Sequence, residues 1–131
     1  MNENTKNWRS DIYDVLREQN IEQVCYVPDA GHAALIRDCE ADNKMTVIGL
    51  TTEEDGIGVL TGAWLGGQRG VMLMQSSGVG NTINALAMPN VCRVPLVTIV
   101  SMRGEWGEFV PWQVPMGKAT PDVLEAMGVT V

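Results

Sequence analysis

A polar stretch in the middle of the sequence follows a run of apolar residues and precedes a segment with helical character. The apolar run is "GVMLM", and the residues after it include Gln75, Ser76, Ser77, Gly78, Gly80 and Asn81. Amide and hydroxyl groups at the end of a buried strand can donate hydrogen bonds to a small ligand, and glycines let the backbone approach that ligand closely. These residue types indicate a polar ligand site at a turn between a strand and a helix.

Two nucleotide-binding interpretations of this stretch are disfavoured by its neighbours. "GVGNTI" supplies the first two glycines of a dinucleotide-binding G-x-G-x-x-G, but Ile83 stands at the third position. The next strand-like run leads to Ser101 and Arg103, and not to the acidic residue that would bind a ribose. A phosphate loop is excluded because no G-K-[ST] follows. A simple turn with positive φ at Gly78 or Gly80 stays open, although it does not account for the adjacent polar side chains.

The single histidine of the sequence, His32, decides whether serine-hydrolase chemistry is available. A Ser-His-Asp triad would have to combine it with Ser76 or Ser77, but the sequence lacks the G-x-S-x-G pattern that presents such a serine. His32 follows "VPDAG", where a strand-like run ends. It is either a helix-start residue that faces solvent or a polar residue of a pocket, and both interpretations stay open.

Three carboxylates, Glu53, Glu54 and Asp55, follow another apolar run in "TTEEDG". Thr52 is a predicted N-cap, and acidic residues in a first helical turn interact favourably with the helix dipole. This structural interpretation of Glu54 and Asp55 stays open beside a functional one. Glu53 receives a different assignment from the family resemblance described below.

The elements that position these residues alternate between helical and strand periodicity. Helices are predicted at about 5–19, 31–42, 53–65, 81–88 (ended by Pro89) and 120–127 (with Pro121 in its first turn). Strands are predicted at 22–27, 45–50, 70–74 and 95–100, and a further one starts at 128–131. The alternation and the nearly continuous apolar strands predict an α/β fold, a three-layer domain with a mostly parallel central sheet flanked by helices. Ligands of such sheets bind at the carboxyl ends of the strands. The polar residues above all lie in the loops that leave those ends, at 28–31, 51–54, 75–80 and 101–118.

The composition limits the class of protein. The 131 residues, 45% of them apolar, suffice for one domain with a core, and no apolar run approaches the ~20 residues that cross a bilayer. A net charge of −7 with nine scattered basic residues disfavours nucleic acid and anionic membranes as partners. Without a secretory signal pattern, we expect a soluble, cytoplasmic protein. Cys25, Cys39 and Cys92 lie in apolar segments without a C-x-x-C, which predicts buried free thiols and no zinc site.

Several stretches in order resemble the pyrimidine-binding domain of thiamine-diphosphate (ThDP) enzymes. In that family a strand ends in a glutamate and a glycine follows nine positions later, a spacing matched by Glu53 and Gly62. The next strand ends in a G-x-G-N loop, matched by Gly78-Val79-Gly80-Asn81. "VPDAGHAALI", "INALA" and "SMRGEWGE…WQVPMGKAT" are similar to the α subunits of sulfopyruvate decarboxylases and to their relatives, the phosphonopyruvate decarboxylases. The resemblance covers about residues 27–120.

The resemblance implies roles for particular residues. Glu53 would be the catalytic carboxylate that bonds to ring nitrogen N1′ of the cofactor's aminopyrimidine, in a site shielded from water. The remaining implied cofactor-binding residues are Gly78, Gly80 and Asn81; the implied substrate-binding residues are His32, Gln75, Ser76, Ser77, Arg103 and Lys118. Arg103 and Lys118 would hold the sulfonate, although Arg103 could instead pair with Glu105 or Glu108 on the surface.

The resemblance also implies a partner. The family holds the diphosphate of ThDP through Mg²⁺ with a G-D-G motif, which this sequence lacks. The metal site would therefore lie on a β subunit, and none would lie on this chain. The implied reaction converts 3-sulfopyruvate to sulfoacetaldehyde and CO₂. Two alternatives to this function stay open, a phosphonopyruvate substrate and a non-catalytic domain of the same fold. Whether the predicted single domain, residues 1–131, lacks a final helix and strand also stays open.

Overall fold

The computed structural model describes residues 7–131 and contains one parallel sheet with helices on both faces. The strands are β1 (Ile21–Tyr26), β2 (Thr46–Gly49), β3 (Arg69–Gln75) and β4 (Val97–Ser101). The helices are α1 (Trp8–Glu18), α2 (Ala33–Ala41), α3 (Glu53–Leu65), α4 (Ser76–Thr82), α5 (Ala87–Cys92) and α6 (Gln113–Ala126). Within residues 7–131 no helix combines the length and the apolar character needed to cross a bilayer.

Successive residues of the central strand β3 point to opposite faces and build two separate cores. Val71 and Leu73 pack in one core with residues of α1 and α2. Met72 and Met74 pack in the other with residues of α3, α4 and α6. The predicted three-layer α/β fold is therefore confirmed.

The strand order creates a crevice beside β1. The sheet runs β2-β1-β3-β4 with every pair parallel, so the chain moves outward from β1 to β2 and then returns to the other side of β1. Loops that leave β1 and β3 at their carboxyl ends consequently turn in opposite directions, and a ligand-sized space opens between them. Asp29 follows β1 at this edge and Gln75 ends β3.

The polar stretch after β3 differs from its predicted conformation. The helix α4 begins at Ser76, directly after the strand, and not at Asn81. Positive φ occurs at four of the described glycines, Gly67, Gly104, Gly107 and Gly128, so the expected positive φ at position 78 or 80 is wrong. Gly78 and Gly80 both lie in this helix, so backbone torsion does not explain why these positions carry glycine. The space around each residue, described below with the site, is the remaining explanation.

Other differences concern the ends of elements and the cysteines. Pro89 lies inside α5 and Pro121 lies inside α6, which begins at Gln113. The predicted strand at 128–131 does not form, and the predicted helix start at about residue 5 lies outside the described residues. Two cysteines are buried as predicted, and burial raises the pKa of each of those thiols, Cys25 and Cys39, to about 11. Cys92 is exposed, so its predicted burial is wrong.

The core predicts a contrast between two leucines. Leu73 is fully buried in β3, whereas Leu65 at the end of α3 is 79% exposed. Leu73→Ala should lower the free energy of unfolding by ~2–5 kcal/mol because it leaves a cavity, and Leu65→Ala should change it by less than ~0.5 kcal/mol. Urea unfolding of both variants measures this, and equal effects would contradict the assigned core.

Candidate functional site

The carboxylate of Glu53 is held at the edge of the sheet by the helix that follows β2. Glu53 is the first residue of α3, and it is only 7% exposed. Its Oε2 accepts a hydrogen bond of 2.9 Å from Nδ2 of Asn81. The N-cap position belongs to Thr52 as predicted, but the Thr52 side chain makes no capping hydrogen bond within the described structure. The helix N-terminus nevertheless favours the negative charge of this carboxylate.

Gly78 is required because Glu53 lies where a side chain would begin. A Cβ built on Gly78 would overlap the Oε1, Cδ and Cγ atoms of Glu53. At Gly80 the same construction meets only Sδ of Met116 at 3.6 Å, an ordinary contact. The first glycine of the predicted G-x-G-N loop is thus dictated by contact with Glu53, and the second is not.

A second carboxylate, which the sequence analysis did not single out, organises the neighbouring part of the edge. Oδ2 of Asp29 accepts hydrogen bonds from Oγ of Ser101 at 2.7 Å and from N of Gly31 at 3.0 Å. Oδ1 accepts one from Nε2 of Gln75 at 3.0 Å. Burial alone would raise the pKa of Asp29, but these donors and the nearby His32 lower it overall, so the group is ionised at neutral pH. The only signal in the sequence was its place after β1 in "VPDAGH".

His32 lies behind this carboxylate and not in solvent. It is 2% exposed, so of the two interpretations left open the solvent-facing one is wrong. Its Nδ1 is 3.7 Å from Oδ2 of Asp29, and no other described residue gives that nitrogen a hydrogen-bond partner. Burial lowers the pKa of His32, and the charge of Asp29 opposes this only in part. The imidazole is therefore neutral at neutral pH.

The serines after β3 have different environments. Ser76 is fully buried, and its Oγ accepts a hydrogen bond of 2.9 Å from N of Arg103, which ties the loop after β4 to the start of α4. Ser77 is exposed, and its Oγ donates to Oε1 of Gln75 at 2.7 Å. Because its oxygen and its nitrogen both have partners, the amide of Gln75 has one defined orientation.

The loop after β4 covers a cavity of about 390 Å³ beside these residues. Its lining includes Asp29, Gln75, Ser101, Arg103 and loop residues up to Phe109. His32 and Lys118 are not among the lining residues, and Lys118 is exposed on α6. The structure therefore brings most of the predicted substrate-binding residues to one edge and leaves Lys118 apart.

A bidentate ion pair fixes the loop. Nε and Nη2 of Arg103 each donate to the carboxylate of Glu108 at 2.7 Å, and the same carboxylate accepts from N of Gly104 at 3.1 Å and N of Val110 at 2.8 Å. These bonds, with the Arg103 bond contributing most, lower the pKa of Glu108 to about 2. Of the alternatives left open for Arg103, pairing with Glu108 is the one observed.

Chemically, the edge offers one carboxylate with spare acceptor capacity and one cavity with hydrogen-bond donors. Glu53 accepts a single side-chain hydrogen bond, so its Oε1 can accept from a ligand. Gln75 connects the two parts because α4, which carries Gly78 and Asn81, begins immediately after it. Within residues 7–131 no group of three or more His, Cys, Asp or Glu side chains is arranged to hold a metal ion.

Comparison with protein families agrees with this geometry. The model of the thiamine pyrophosphate enzyme N-terminal TPP binding domain matches residues 6–109. The chain belongs to this family. An X-ray structure described as that of a thiamin diphosphate-dependent enzyme from Mycobacterium smegmatis superposes with a TM-score of 0.61 at 20% identity, covering 76% of this chain and 19% of that one. This likeness concerns the fold alone.

Similar curated members of the family come from methanogens and from Streptomyces. The chain is 38% identical over 115 residues to sulfopyruvate decarboxylase subunit alpha of Methanocaldococcus jannaschii, covering 87% of this chain and 68% of that one. It is 37% identical over 119 residues to the subunit alpha of Methanococcus maripaludis, covering 90% and 71%. It is 33% identical over 118 residues to phosphonopyruvate decarboxylase of Streptomyces viridochromogenes, covering 88% of this chain and 30% of that protein.

The two glycines of α4 should respond in opposite directions to the same substitution. Gly78→Ala should destabilise the fold by ~1–3 kcal/mol because the methyl group displaces Glu53. Gly80→Ala should stabilise it by ~0.5–1 kcal/mol because alanine is the better helix former and the space is free. Urea unfolding measures both, and stabilisation by Gly78→Ala would show that Glu53 does not lie against that residue.

The Arg103–Glu108 pair predicts a pH dependence. A carboxyl whose folded pKa is depressed contributes stability above its ordinary value of 4.5 and loses it as the pH falls towards about 2. Glu108→Gln should therefore be less stable than the wild type above about pH 4.5, and the difference should shrink on acidification. Glu105→Gln, in the same loop but exposed, is the matched control in thermal unfolding. A difference independent of pH would contradict the pairing.

Proposed function

We propose that this chain is the α subunit of a ThDP-dependent decarboxylase that converts 3-sulfopyruvate to sulfoacetaldehyde and CO₂, with an active site shared with a β subunit. The observation that carries the proposal is the shielded Glu53 carboxylate, packed on Gly78 and bonded to Asn81 at the ligand edge of the sheet. The names of the relatives that the chain covers for more than two thirds of their length support the substrate and the subunit role.

The residues around Glu53 fit the aminopyrimidine half of the cofactor. The carboxylate has an oxygen free to accept a hydrogen bond, and a ring nitrogen, N1′, is the group that family resemblance assigns to it. When bound, ThDP supplies the electron sink for loss of CO₂ from a 2-oxo acid. Glu53 would hold the ring in its reactive tautomer, Asn81 would orient Glu53, and the small Gly78 and Gly80 would leave room for the cofactor.

The cavity beside Asp29 is our candidate substrate pocket. Gln75 has a second amide hydrogen that is free to bond a substrate oxygen, and Ser77 fixes its orientation. Ser76 would act indirectly, because its hydroxyl anchors the loop. Arg103 can offer its remaining N–H groups to an anion, but its charge is already balanced by Glu108. We therefore expect the sulfonate to need further cationic groups from the β subunit.

Apolar exposure on α3, the helix that begins with Glu53, supports a partner surface. Cβ atoms built on Gly58 and Gly62 meet nothing within 4 Å among the described residues. On the same face of the helix, Val59 is 37% exposed and Leu65 79%. We expect the second chain to pack on this face. We assign the diphosphate and Mg²⁺ to that β subunit.

The remaining assignments concern the cellular context. We place the assembled enzyme in the cytoplasm, where thiols such as the exposed Cys92 stay reduced. The net charge of −7 supports a small-molecule substrate and a protein partner over nucleic acid or an anionic membrane.

Glu53→Gln should abolish decarboxylation by the chain assembled with its β subunit. The amide cannot supply the carboxylate charge to the ring nitrogen, so we expect CO₂ release from 3-sulfopyruvate to fall by at least ~10²-fold, the scale of a lost acid–base group. Glu54→Gln is the matched control, since Glu54 is exposed in the same helical turn, and it should keep its activity.

The outcome separates the competing functions. Full activity of Glu53→Gln would refute the mechanism, and absence of ThDP-dependent CO₂ release from the wild-type complex would favour a non-catalytic domain. Phosphonopyruvate is the second substrate to assay, because phosphonopyruvate decarboxylase is also a relative. Higher kcat/KM with phosphonopyruvate would reassign the substrate while leaving Glu53 in place.

A further inference from the structure

Three groups donate hydrogen bonds to the Asp29 carboxylate, and only one of them would have to break that bond in order to donate to a ligand. Its Oδ2 is shared by the backbone N of Gly31 and the hydroxyl of Ser101, and its Oδ1 is bonded by Gln75. The Gly31 nitrogen is fixed by the turn, and Gln75 can bond a ligand with its second hydrogen while keeping Asp29. The Ser101 hydroxyl has a single hydrogen, so it must leave Asp29 in order to donate elsewhere.

His32 is placed to replace that donor. Its unpartnered Nδ1 lies 3.7 Å from Oδ2, the same oxygen that Ser101 bonds. That separation exceeds a typical N–H···O distance by only about 0.8 Å. The backbone N of His32 also donates to O of Asp29 at 3.2 Å, so the two residues belong to one turn and a small ring movement closes the gap.

The two donors differ in access to the cavity. Ser101 lines it, whereas His32 is 2% exposed and does not. A ligand oxygen in the cavity can therefore compete for the Ser101 hydrogen but cannot reach the imidazole. We propose that His32 is a positioning residue, whose Nδ1–H takes over Oδ2 of Asp29 when the Ser101 hydroxyl turns to a bound ligand. The ligand meant is the 2-oxo acid, so the inference rests on the proposed function.

The consequence is that Asp29 stays fixed while Ser101 binds the substrate. Without a replacement, the loss of the Ser101 hydrogen bond would leave a shielded carboxylate short of a donor, at a cost in binding. With the exchange, the number of hydrogen bonds on Asp29 stays the same in the free and the occupied cavity. The exchange explains why Nδ1 of His32 is buried without a hydrogen-bond partner among the described residues.

Because His32 is the sole histidine in the sequence, ¹⁵N NMR of histidine-labelled full chain observes it without ambiguity. We expect the tautomer that carries its hydrogen on Nδ1. In Ser101→Ala the Nδ1 hydrogen should shift downfield and exchange more slowly, as Asp29 accepts it. Thr98→Val removes a hydroxyl from the same strand and is the matched control, with no shift expected. A bare Nδ1 in the wild type, or a Ser101→Ala spectrum like that of the control, would overturn the proposal.

A double-mutant cycle tests the exchange by stability alone. If each donor replaces the other, each single variant, His32→Leu or Ser101→Ala, should lower the thermal midpoint by less than half of the loss in the double variant. Additive losses would mean that His32 does not substitute for Ser101. Neither this measurement nor the NMR comparison needs the cofactor or the β subunit, so both are independent of the proposed function.

The link to substrate is tested in the assembled complex. Labelled Glu53→Gln chain with the β subunit, given 3-sulfopyruvate, should show the His32 shift seen in Ser101→Ala. If the wild-type complex decarboxylates 3-sulfopyruvate and the His32 signal stays unchanged, the inference is wrong and the proposed function survives. If the wild-type complex shows no activity but Ser101→Ala moves the His32 signal, the proposed function fails and the alternative-donor arrangement stands.

Discussion

The structure depends on a carboxylate lying in the volume where residue 78 would carry a side chain. Glu53 begins α3, the helix after β2, and Gly78 lies in α4, the helix after β3, and the two meet at the carboxyl edge of the sheet. The contact requires α4 to begin directly after its strand, so that its first turn presents a bare backbone to the carboxylate. Three residues after Gly78, on the same side of α4, Asn81 donates a hydrogen bond from its amide to Glu53. One steric requirement thus links the positions of two helices and the orientation of the candidate catalytic group.

The carboxylate of Asp29, at the same edge of the sheet, also lies against a glycine, but its surroundings differ from those of Glu53. A Cβ on Gly31 would come within 2.8 Å of Oδ2 of Asp29, so here too a glycine makes room for an acid. Asp29, however, is surrounded by donors and is held ionised, whereas Glu53 has a single side-chain donor and retains acceptor capacity. The two acids therefore have different surroundings: Asp29 organises the polar groups that donate to it, and Glu53 keeps acceptor capacity for a further donor.

In the loop after β4, the ion pair between Arg103 and Glu108 fixes the conformation of the loop. Glu108 accepts four hydrogen bonds, two from Arg103 and two from backbone nitrogens, and they hold a loop that displays Trp106 and Phe109 to solvent. The guanidinium is largely committed to this task. Recognition of a doubly charged substrate would then need positive charge from outside this part of the chain, which agrees with a site completed by a second subunit.

The amino-acid sequence by itself determined the layered α/β fold and the edge at which the polar residues of the candidate site gather, because apolar periodicity and short connections are local properties. The prediction for Glu53 came from the family resemblance, which also depends on motifs in the sequence. Tertiary structure decided what depends on contacts between distant segments. Gly78 is needed for the space that Glu53 takes and not for its own torsion, Arg103 pairs with Glu108, and His32 is buried behind Asp29. Asp29 itself went unnoticed because its donors come from β3 and from the end of β4, residues far away in the chain that only the parallel sheet brings to one place.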